Sequence, residues 1–262
     1  MINPVRFVWK TLSKSLVYLL FVLGSLFLIT AVFPLIFLFA HPAARCGRAL
    51  RYATHLTFKA MNGIMWGLGL TKVRIGREDR KRLKGLSSTI VVANHPSLID
   101  ITILIGYLPQ ADCIVNAKLF ERPIVKYVVR RLFVANSLEF GEILAATERS
   151  LDEGNCLVIF PEGSRTRPGV TPKIKRGSAH IALGTGRPVL PIRIEANDMR
   201  GLRKGDPFWR INRKGRYSFA LSVQSPIEPG RYASLEQPIA ARKMAADIYE
   251  SLFPPSHDPA SR

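Results

Sequence analysis

A run of thirty residues without a charged side chain, residues 15–44, lies near the start of the chain. Leucine, phenylalanine, valine and isoleucine dominate it. Because roughly twenty apolar residues in a helix cross the hydrocarbon core of a bilayer, the run is long enough to span a membrane. A buried helix of a soluble domain fits this length poorly. The chain is therefore expected to combine an N-terminal, membrane-anchoring helical segment with a separate folded domain.

Basic residues lie on both sides of the apolar run, Lys14 immediately before it and Arg45 immediately after it. Positive charge favours the cytoplasmic side, so both flanks are predicted to lie at the cytoplasmic face of the inner or plasma membrane. Gly24 and Pro34 offer break points, which leaves two arrangements open, a re-entrant hairpin and a tilted single span. A cleaved signal peptide is disfavoured because the run is too long.

The next segment, residues 45–70, has basic residues at steps of three and four with apolar residues between them, which predicts a helix. Two interpretations fit this pattern. The helix is interfacial, with basic residues on lipid headgroups and Trp66 in the acyl boundary, or it is a packing helix with a solvated basic face. Residues 1–70 are accordingly assigned to membrane-anchoring and interfacial helices. The basic positions are Arg45, Arg48, Arg51, His55 and Lys59.

Beyond residue 70, short apolar runs alternate with helical patterns, which is typical of an α/β domain. We predict a mixed, largely parallel sheet flanked by helices over residues 71–253 and a disordered tail over residues 254–262. Residues 72–84 are interpreted as a charged connector around the first strand, and a basic excursion, residues 197–216, is expected to lie over a pocket or on lipid. The expected strands are 73–75, 89–93, 112–116, 133–137, 156–160, 189–195 and 217–224, and the expected helices 97–107, 123–132, 141–153 and 178–183.

Charge and cysteine content limit the possible partners. The 38 Lys and Arg residues against 19 Asp and Glu residues give a formal net charge of +19, which implies an anionic partner. The chain has no recognised nucleic-acid motif, so membrane lipids are preferred. Three widely spaced cysteines, Cys46, Cys113 and Cys156, argue against a disulfide framework or a zinc site and fit a reducing compartment.

The segment 94–100 places His95 and Asp100 five residues apart, directly after an apolar strand. Five residues along one helix separate two side chains by about 140°, so His95 meets Asp100 only if it precedes the helix. Pro96 supports this, because proline favours the first helical position. A carboxylate that accepts from Nδ1 leaves Nε2 to act as a general base. The alternative is a capped helix start with a structural histidine.

The segment 160–167 forms the second motif, a turn with one acid and two arginines after another apolar strand. Carboxyl ends of neighbouring strands in an open α/β sheet share one edge, where ligands bind. We therefore expect Glu162 and His95 to border one pocket. Ser97 and Ser164 are not set in a Gly-x-Ser-x-Gly elbow, which disfavours a serine nucleophile.

Together, Asn-His-Pro-Ser-Leu-Ile-Asp at 94–100 and Phe-Pro-Glu-Gly-Ser-Arg-Thr at 160–166 resemble the glycerolipid acyltransferase family, of the 1-acylglycerol-3-phosphate or lysophospholipid acyltransferase type. The resemblance covers roughly residues 70–230. It implies that His95 deprotonates an acceptor hydroxyl, that Asp100 orients His95, and that the second motif holds a phosphate. Residues 71–253 would then form the catalytic domain. The implied substrate-binding residues are Glu162, Gly163, Ser164, Arg165 and Lys175, with Asn136 in the segment between the motifs.

The resemblance implies a donor thioester, acyl-CoA or acyl carrier protein, and neither a metal nor a further cofactor. One departure concerns the acceptor. Where the family carries an arginine for glycerol phosphate, this chain reads Phe-Val-Ala-Asn-Ser at 133–137. A neutral Asn136 cannot pair with a phosphate dianion as arginine does. A non-phosphatidate lipid acceptor is therefore an alternative, and a non-catalytic basic membrane-binding protein is a more distant one.

Overall fold

The computed structural model describes residues 4–40, 43–115, 133–135, 139–165, 170–207, 209–212 and 215–254. Within these ranges the strands are β1 Thr71–Ile75, β2 Ile90–Ala93, β3 Ala111–Val115, β4 Phe133–Ala135, β5 Cys156–Ile159, β6 Val189–Ala196 and β7 Tyr217–Val223. The helices are α1 Pro4–Phe27, α2 Phe33–Phe39, α3 Ala43–Gly67, α4 Arg77–Lys84, α5 Asp100–Ile105, α6 Phe140–Asp152, α7 Gly177–Thr185 and α8 Gln237–Leu252, with a π-helical turn at Leu28–Val32 and a 3₁₀ turn at Pro229–Tyr232.

The described strands form one sheet in the order β1-β7-β6-β2-β5-β3-β4. Neighbouring strands are parallel except β6 and β7, which pair antiparallel. The predicted fold class, a mixed, largely parallel sheet flanked by helices behind an apolar N-terminal helix, is confirmed. Each expected strand is present, with boundaries that differ by at most two residues.

The central strand β2 shows how the sheet separates two apolar layers. All four of its residues are buried. Because side chains alternate across a strand, Ile90 and Val92 pack with α7 and α8 on one face, while Val91 and Ala93 pack with α5 on the other. A strand covered on both faces reads as a continuous apolar run, which is why its sequence was easy to recognise.

Two helical predictions need correction. The charged connector at 72–84 is the strand β1 followed by the helix α4, in which Leu83 is buried in the apolar core. Acidic residues in the first turn of α4 and basic residues in its last turn match the helix dipole, a signal that the high charge obscured. Helix α5 begins at Asp100, so Pro96 does not occupy the first helical position. The predicted helix 123–132 and the tail beyond Pro254 lie outside the described residues.

The apolar run forms one side of a helical hairpin. Helices α1 and α2 and the π-turn between them make a 36-residue helix, Pro4–Phe39, long and apolar enough to cross a membrane. Pairs such as Trp9 with Leu68 and Phe21 with Phe58 show that α3 runs back along it. Gly24 and Pro34 lie inside the helix, so the reversal comes after Phe39 and not at either predicted break point.

Helix α3 packs on the domain through buried polar contacts. Arg51 donates two hydrogen bonds to Asp112 on β3, at 2.7 and 2.8 Å. His55 Nδ1 lies 2.8 Å from the carbonyl of Ile105, and Asn62 donates to Thr102. Arg51 and His55 therefore face the domain. For these two residues both interpretations were wrong, because they contact neither lipid headgroups nor solvent.

Loss of the Arg51–Asp112 pair should measurably destabilise the protein. Both side chains keep only 6% of their surface exposed. Asp112→Ala leaves a buried guanidinium without its main partner, so we expect the free energy of unfolding to fall by about 3–5 kcal/mol in denaturant titrations. The exposed pair Asp152–Arg187 supplies the control, since Asp152→Ala should cost about 0–1 kcal/mol. Equal losses in the two variants would show that the buried pair does not hold α3.

Candidate active site

The chain leaves the central strand through Asn94, whose side chain is bonded to β6. The amide of Asn94 donates to the carbonyl of Ile194 at 2.8 Å and accepts from the N–H of Ile194 at 2.7 Å. This two-way bond replaces the sheet ladder where β2 ends. It fixes the direction in which the following residue, His95, projects from the edge of the sheet.

His95 and Asp100 lie together, as their spacing predicted. Nδ1 of His95 is 2.8 Å from Oδ2 of Asp100. The carboxylate is fully buried at the first residue of α5, and it also accepts from the backbone N–H of Ser97 at 2.6 Å and from the Ser97 hydroxyl at 2.5 Å. His95 remains 19% exposed, so Nε2 is the ring nitrogen left for a ligand.

The second motif touches His95 directly. Strand β5 pairs with β2, so Phe160 and Glu162 follow their strand at the same edge of the sheet as His95. The ring of Phe160 stacks on the imidazole with centroids 4.2 Å apart. The carboxylate of Glu162 accepts from the backbone N–H of His95 at 2.7 Å. In this structure, Glu162 therefore holds the histidine loop in place.

A turn with positive φ follows Glu162. Gly163 has a φ of +68°, and a Cβ there would lie 3.1 Å from Cε of Lys175. The N–H of Gly163 donates to the carbonyl of Phe160, and the N–H of Lys175 donates to the carbonyl of Pro161. The lysine stem is thus packed against a backbone position that has room only for glycine, beside an exposed Ser164.

Arg165 and the histidine loop share one backbone acceptor, the carbonyl of Leu202. Arg165 Nη1 donates to it at 3.1 Å, and the N–H of Leu98 donates to it at 3.0 Å. The two motifs therefore fix the 197–212 loop as well as each other. Asn136, the remaining predicted substrate-binding residue, lies outside the described residues.

His95 borders two cavities that meet at its imidazole. One is a groove of about 380 Å³ whose walls are mainly aliphatic and aromatic, with Gly163, Ser164 and Lys175 at its edge. The other, the polar pocket, is smaller, about 220 Å³, and more than half of its lining residues have polar or charged side chains. The apolar wall of the groove is formed by Ile114, Phe140, Ile143, Ile159, Phe160 and Ile181. The polar pocket is lined by Asn94, His95, Pro96, Glu162, Ala196, Asn197, Met199, Arg203 and Phe253.

The apolar N-terminal helix reaches the same region through two lysines. Lys14 Nζ donates to the carbonyls of Gly201 and Arg210, at 2.9 and 3.0 Å. Lys10 Nζ donates to the carbonyls of Asn212 and Gly215. The described part of the basic segment predicted at 197–216 thus lies at the pocket, which is one of the two positions expected for it, and hydrogen bonds from α1 hold it there. Nothing in the local sequence connects these lysines with carbonyls about two hundred residues away.

Several site residues had no predicted role. Asn94 and Ser97 lie inside the first motif, so their supporting contacts follow from its position once the fold is known. Leu202 and Arg203 belong to the basic segment predicted at 197–216, in which no individual residue was given a role. Only the return of β6 past β2 brings that segment to His95.

Comparison with known proteins agrees with the geometry. Residues 73–195, which include both motifs, match the family model described as Acyltransferase. This part of the chain is therefore similar to the acyltransferases of that family.

Two curated relatives and one solved structure extend the match. The 1-acyl-sn-glycerol-3-phosphate acyltransferase of Cocos nucifera is 28% identical over 193 residues, which cover 70% of this chain and 60% of that protein. This chain thus spans about three fifths of that relative. The enzyme of the same name from Pseudomonas aeruginosa is 23% identical over 74% of this chain and 75% of its own length. The crystal structure of the acyltransferase PlsC from Thermotoga maritima has the same fold, with a TM-score of 0.66 and 20% identity over 98% of this chain and 99% of its own.

Substitution of Gly163 should affect the site more than the fold. Gly163→Ala and Gly154→Ala both put a side chain at positive φ, +68° and +87°, which costs about 1–2 kcal/mol of stability. Only at Gly163 must a neighbour, Lys175, also move. We therefore expect similar losses in thermal unfolding but a lower acyl-transfer rate for Gly163→Ala alone. Equal rates in the two variants would show that the position of Lys175 does not matter.

Proposed function

We propose that the protein is a membrane-associated acyltransferase that moves a fatty acyl group from a thioester donor to a hydroxyl of a lysophospholipid, with 1-acylglycerol-3-phosphate as the first candidate. The observation that carries this proposal is the position of His95. Its Nδ1 is bonded to Asp100, and its ring lies where an apolar groove meets a polar pocket. The similarity to enzymes named 1-acyl-sn-glycerol-3-phosphate acyltransferase supports the choice of acceptor.

In the proposed reaction, Nε2 of His95 takes the proton of the acceptor hydroxyl as its oxygen attacks the thioester carbonyl. The new ester bond forms, the carbon–sulfur bond breaks, and the thiolate leaves with the proton that the imidazolium returns. Asp100 stabilises the imidazolium, because its buried carboxylate already accepts from Nδ1. The reaction needs no nucleophilic side chain, so Ser97 acts by orienting Asp100.

The two cavities suggest how the substrates are arranged. An acyl chain fits the apolar groove, whose walls offer aliphatic and aromatic contacts and no charge except Lys175 at the edge. A headgroup fits the polar pocket on the other side of His95. The acceptor hydroxyl and the thioester carbonyl then meet at the imidazole, which supplies the proximity that the transfer requires. The donor is acyl-CoA or acyl carrier protein.

Membrane association follows from the surface of the N-terminal helix. Its most apolar window is only 6% buried, so its side chains have no protein to cover them. A helix embedded in lipid would bring the amphiphilic acceptor to the pocket laterally, through the loop that Lys10 and Lys14 hold. The three free, buried cysteines fit the reducing environment of the cytoplasmic face. Strongly exposed apolar residues of this helix include Val5, Leu12, Val22, Phe27, Leu38 and Phe39.

A second acceptor class remains a candidate on one specific observation. The segment 133–137 carries no arginine where the family resemblance places one. Transfer to another lipid, such as an amino-lipid or a specialised lipid intermediate, would use the same His95 chemistry with a different headgroup in the polar pocket.

Acyl transfer by the detergent-solubilised protein tests the proposal. The assay compares both thioester donors with lysophosphatidate, other lysophospholipids and a total lipid extract as acceptors. His95→Ala should lower kcat roughly 10²–10⁴-fold, because the proton acceptor is gone. His180→Ala, which removes a histidine outside both cavities, should retain activity. Activity that survives His95→Ala, or no transfer by the wild type to any acceptor, would contradict the proposal and favour a non-catalytic membrane-binding protein.

The variant Asp100→Asn distinguishes two effects of Asp100, its hydrogen bonds in the loop and its negative charge beside the imidazole. The amide still accepts from Ser97 but cannot neutralise an imidazolium, so we expect the fold to persist and kcat to fall roughly 10²-fold or more. Circular dichroism checks the fold, and steady-state kinetics with the wild-type acceptor give the rate. An unchanged kcat would show that Asp100 only caps helix α5.

A further inference from the structure

The polar pocket beside His95 contains a cation that neither motif supplies. Among the described residues that line it, Arg203 alone carries a permanent positive charge. Arg165, the arginine of the second motif, instead donates to the carbonyl of Leu202. The guanidinium of Arg203 is 30% exposed and therefore accessible from the pocket. The positive charge that faces the acceptor side of His95 thus comes from the 197–212 loop.

The backbone on either side of Arg203 is tightly held. Leu202 is buried, and its carbonyl accepts from both motifs. At Gly201, with a φ of +88°, a Cβ would lie 1.9 Å from the carbonyl oxygen of Arg210, so the two backbone segments are in direct contact. Lys14 bridges these same two residues. Arg203 is therefore projected from a fixed loop, whose position relative to His95 is set by hydrogen bonds.

Two further side chains stabilise the loop around Arg203. Burial raises the pKa of Tyr217 to about 12, so its neutral hydroxyl donates to the carbonyl of Arg200 at 2.7 Å. Burial opposes ionisation of Asp206, but hydrogen bonds from the N–H of Gly201 and from Arg210 lower its pKa overall. At neutral pH the loop is thus held by a hydrogen bond from a neutral tyrosine hydroxyl and by hydrogen bonds to an ionised carboxylate.

The charge balance leaves Arg203 able to bind an anion. Asp198 pairs with Arg200 at 2.7 Å and with Arg203 at 3.3 Å. Because Arg200 makes the shorter contact, Asp198 stays paired when Arg203 turns toward a ligand. Among these three residues, one carboxylate against two guanidinium groups leaves one net positive charge. Glu162 also lines the pocket, where its carboxylate accepts from the backbone N–H of His95. The planar fork of Arg203 matches a phosphate with two parallel hydrogen bonds.

We propose that Arg203 binds the phosphate of the acceptor lipid, while His95 deprotonates its hydroxyl. This inference rests on the proposed acyltransferase function and specifies its acceptor. It gives the chain a phosphate-binding arginine despite the neutral sequence at 133–137. Arg203 thereby selects a phosphorylated acceptor over an uncharged one.

Kinetics with two acceptors test the assignment. For 1-acylglycerol-3-phosphate, Arg203→Gln should raise KM roughly 10–100-fold with kcat little changed, because a charge-assisted bond to the substrate is lost. For uncharged 1-acylglycerol, the same variant should keep the kinetic constants of the wild type. Arg203→Lys should fall between, since it keeps the charge and loses the fork.

Lys204→Gln is the matched control. Lys204 is the next residue of the same loop, but it is exposed and does not line the pocket of His95. The variant removes the same charge beside Arg203 and should leave KM for both acceptors within about twofold of the wild type, since an exposed charge outside the pocket contributes little. An equal rise in KM for Lys204→Gln and Arg203→Gln, or a rise for both acceptors, would show that the effect is not specific to a phosphate bound by Arg203 and overturn the proposal.

Equilibrium binding distinguishes failure of this proposal from failure of the proposed function. In the His95→Ala background, binding of 1-acylglycerol-3-phosphate in detergent micelles is measured with and without Arg203→Gln. A weaker affinity with Arg203→Gln supports the phosphate site even if the wild type transfers no acyl group to this lipid. Unchanged affinity overturns it, whatever the transfer assay shows.

Discussion

The buried carboxylate of Asp100 is the interaction around which the site is organised. It accepts from the imidazole of His95 and twice from Ser97, at the point where the loop after β2 becomes helix α5. A buried carboxylate is stable only when its oxygens accept hydrogen bonds. The loop that supplies these donors therefore has little freedom to adopt another conformation. The same bonds that satisfy Asp100 therefore orient His95, so the proposed catalysis and the local stability depend on one group.

The N-terminal helix is connected to this site by hydrogen bonds from its lysine side chains to backbone carbonyls. Lys14 donates a hydrogen bond to the carbonyl of Gly201, and the carbonyl of the next residue, Leu202, accepts from Leu98 and Arg165. The residue after that, Arg203, lines the pocket. Three parts of the chain, far apart in sequence, thus meet at three consecutive residues. The helix proposed to lie in lipid is in this way held at a fixed position relative to the group proposed to bind a lipid headgroup.

Much of the fold was predictable because its signals are local. The strand β2 is apolar at every position since both faces are covered, and the other strands carry similar runs. Helix α4 was missed because a single apolar residue, Leu83, packs inward, and a charged eight-residue helix resembles a connector. Arg51 and His55 were expected either on lipid headgroups or on a solvated face. They are instead buried, and this could not be predicted because their partners Asp112 and Ile105 lie fifty or more residues away.

The sequence by itself determined the chemical groups of the site and their local geometry. A histidine and an aspartate at this spacing after an apolar strand can pair only across a helix start, and a Pro-Glu-Gly turn after the neighbouring strand reaches the same edge. The tertiary structure decided which further residues join them. Arg203, Lys14 and Asn94 contact partners across the sheet order, and such contacts depend on how β6 and α1 pack on the domain. The local sequence does not predict that packing, because a side chain contacts carbonyls from distant parts of the chain only after the chain has folded.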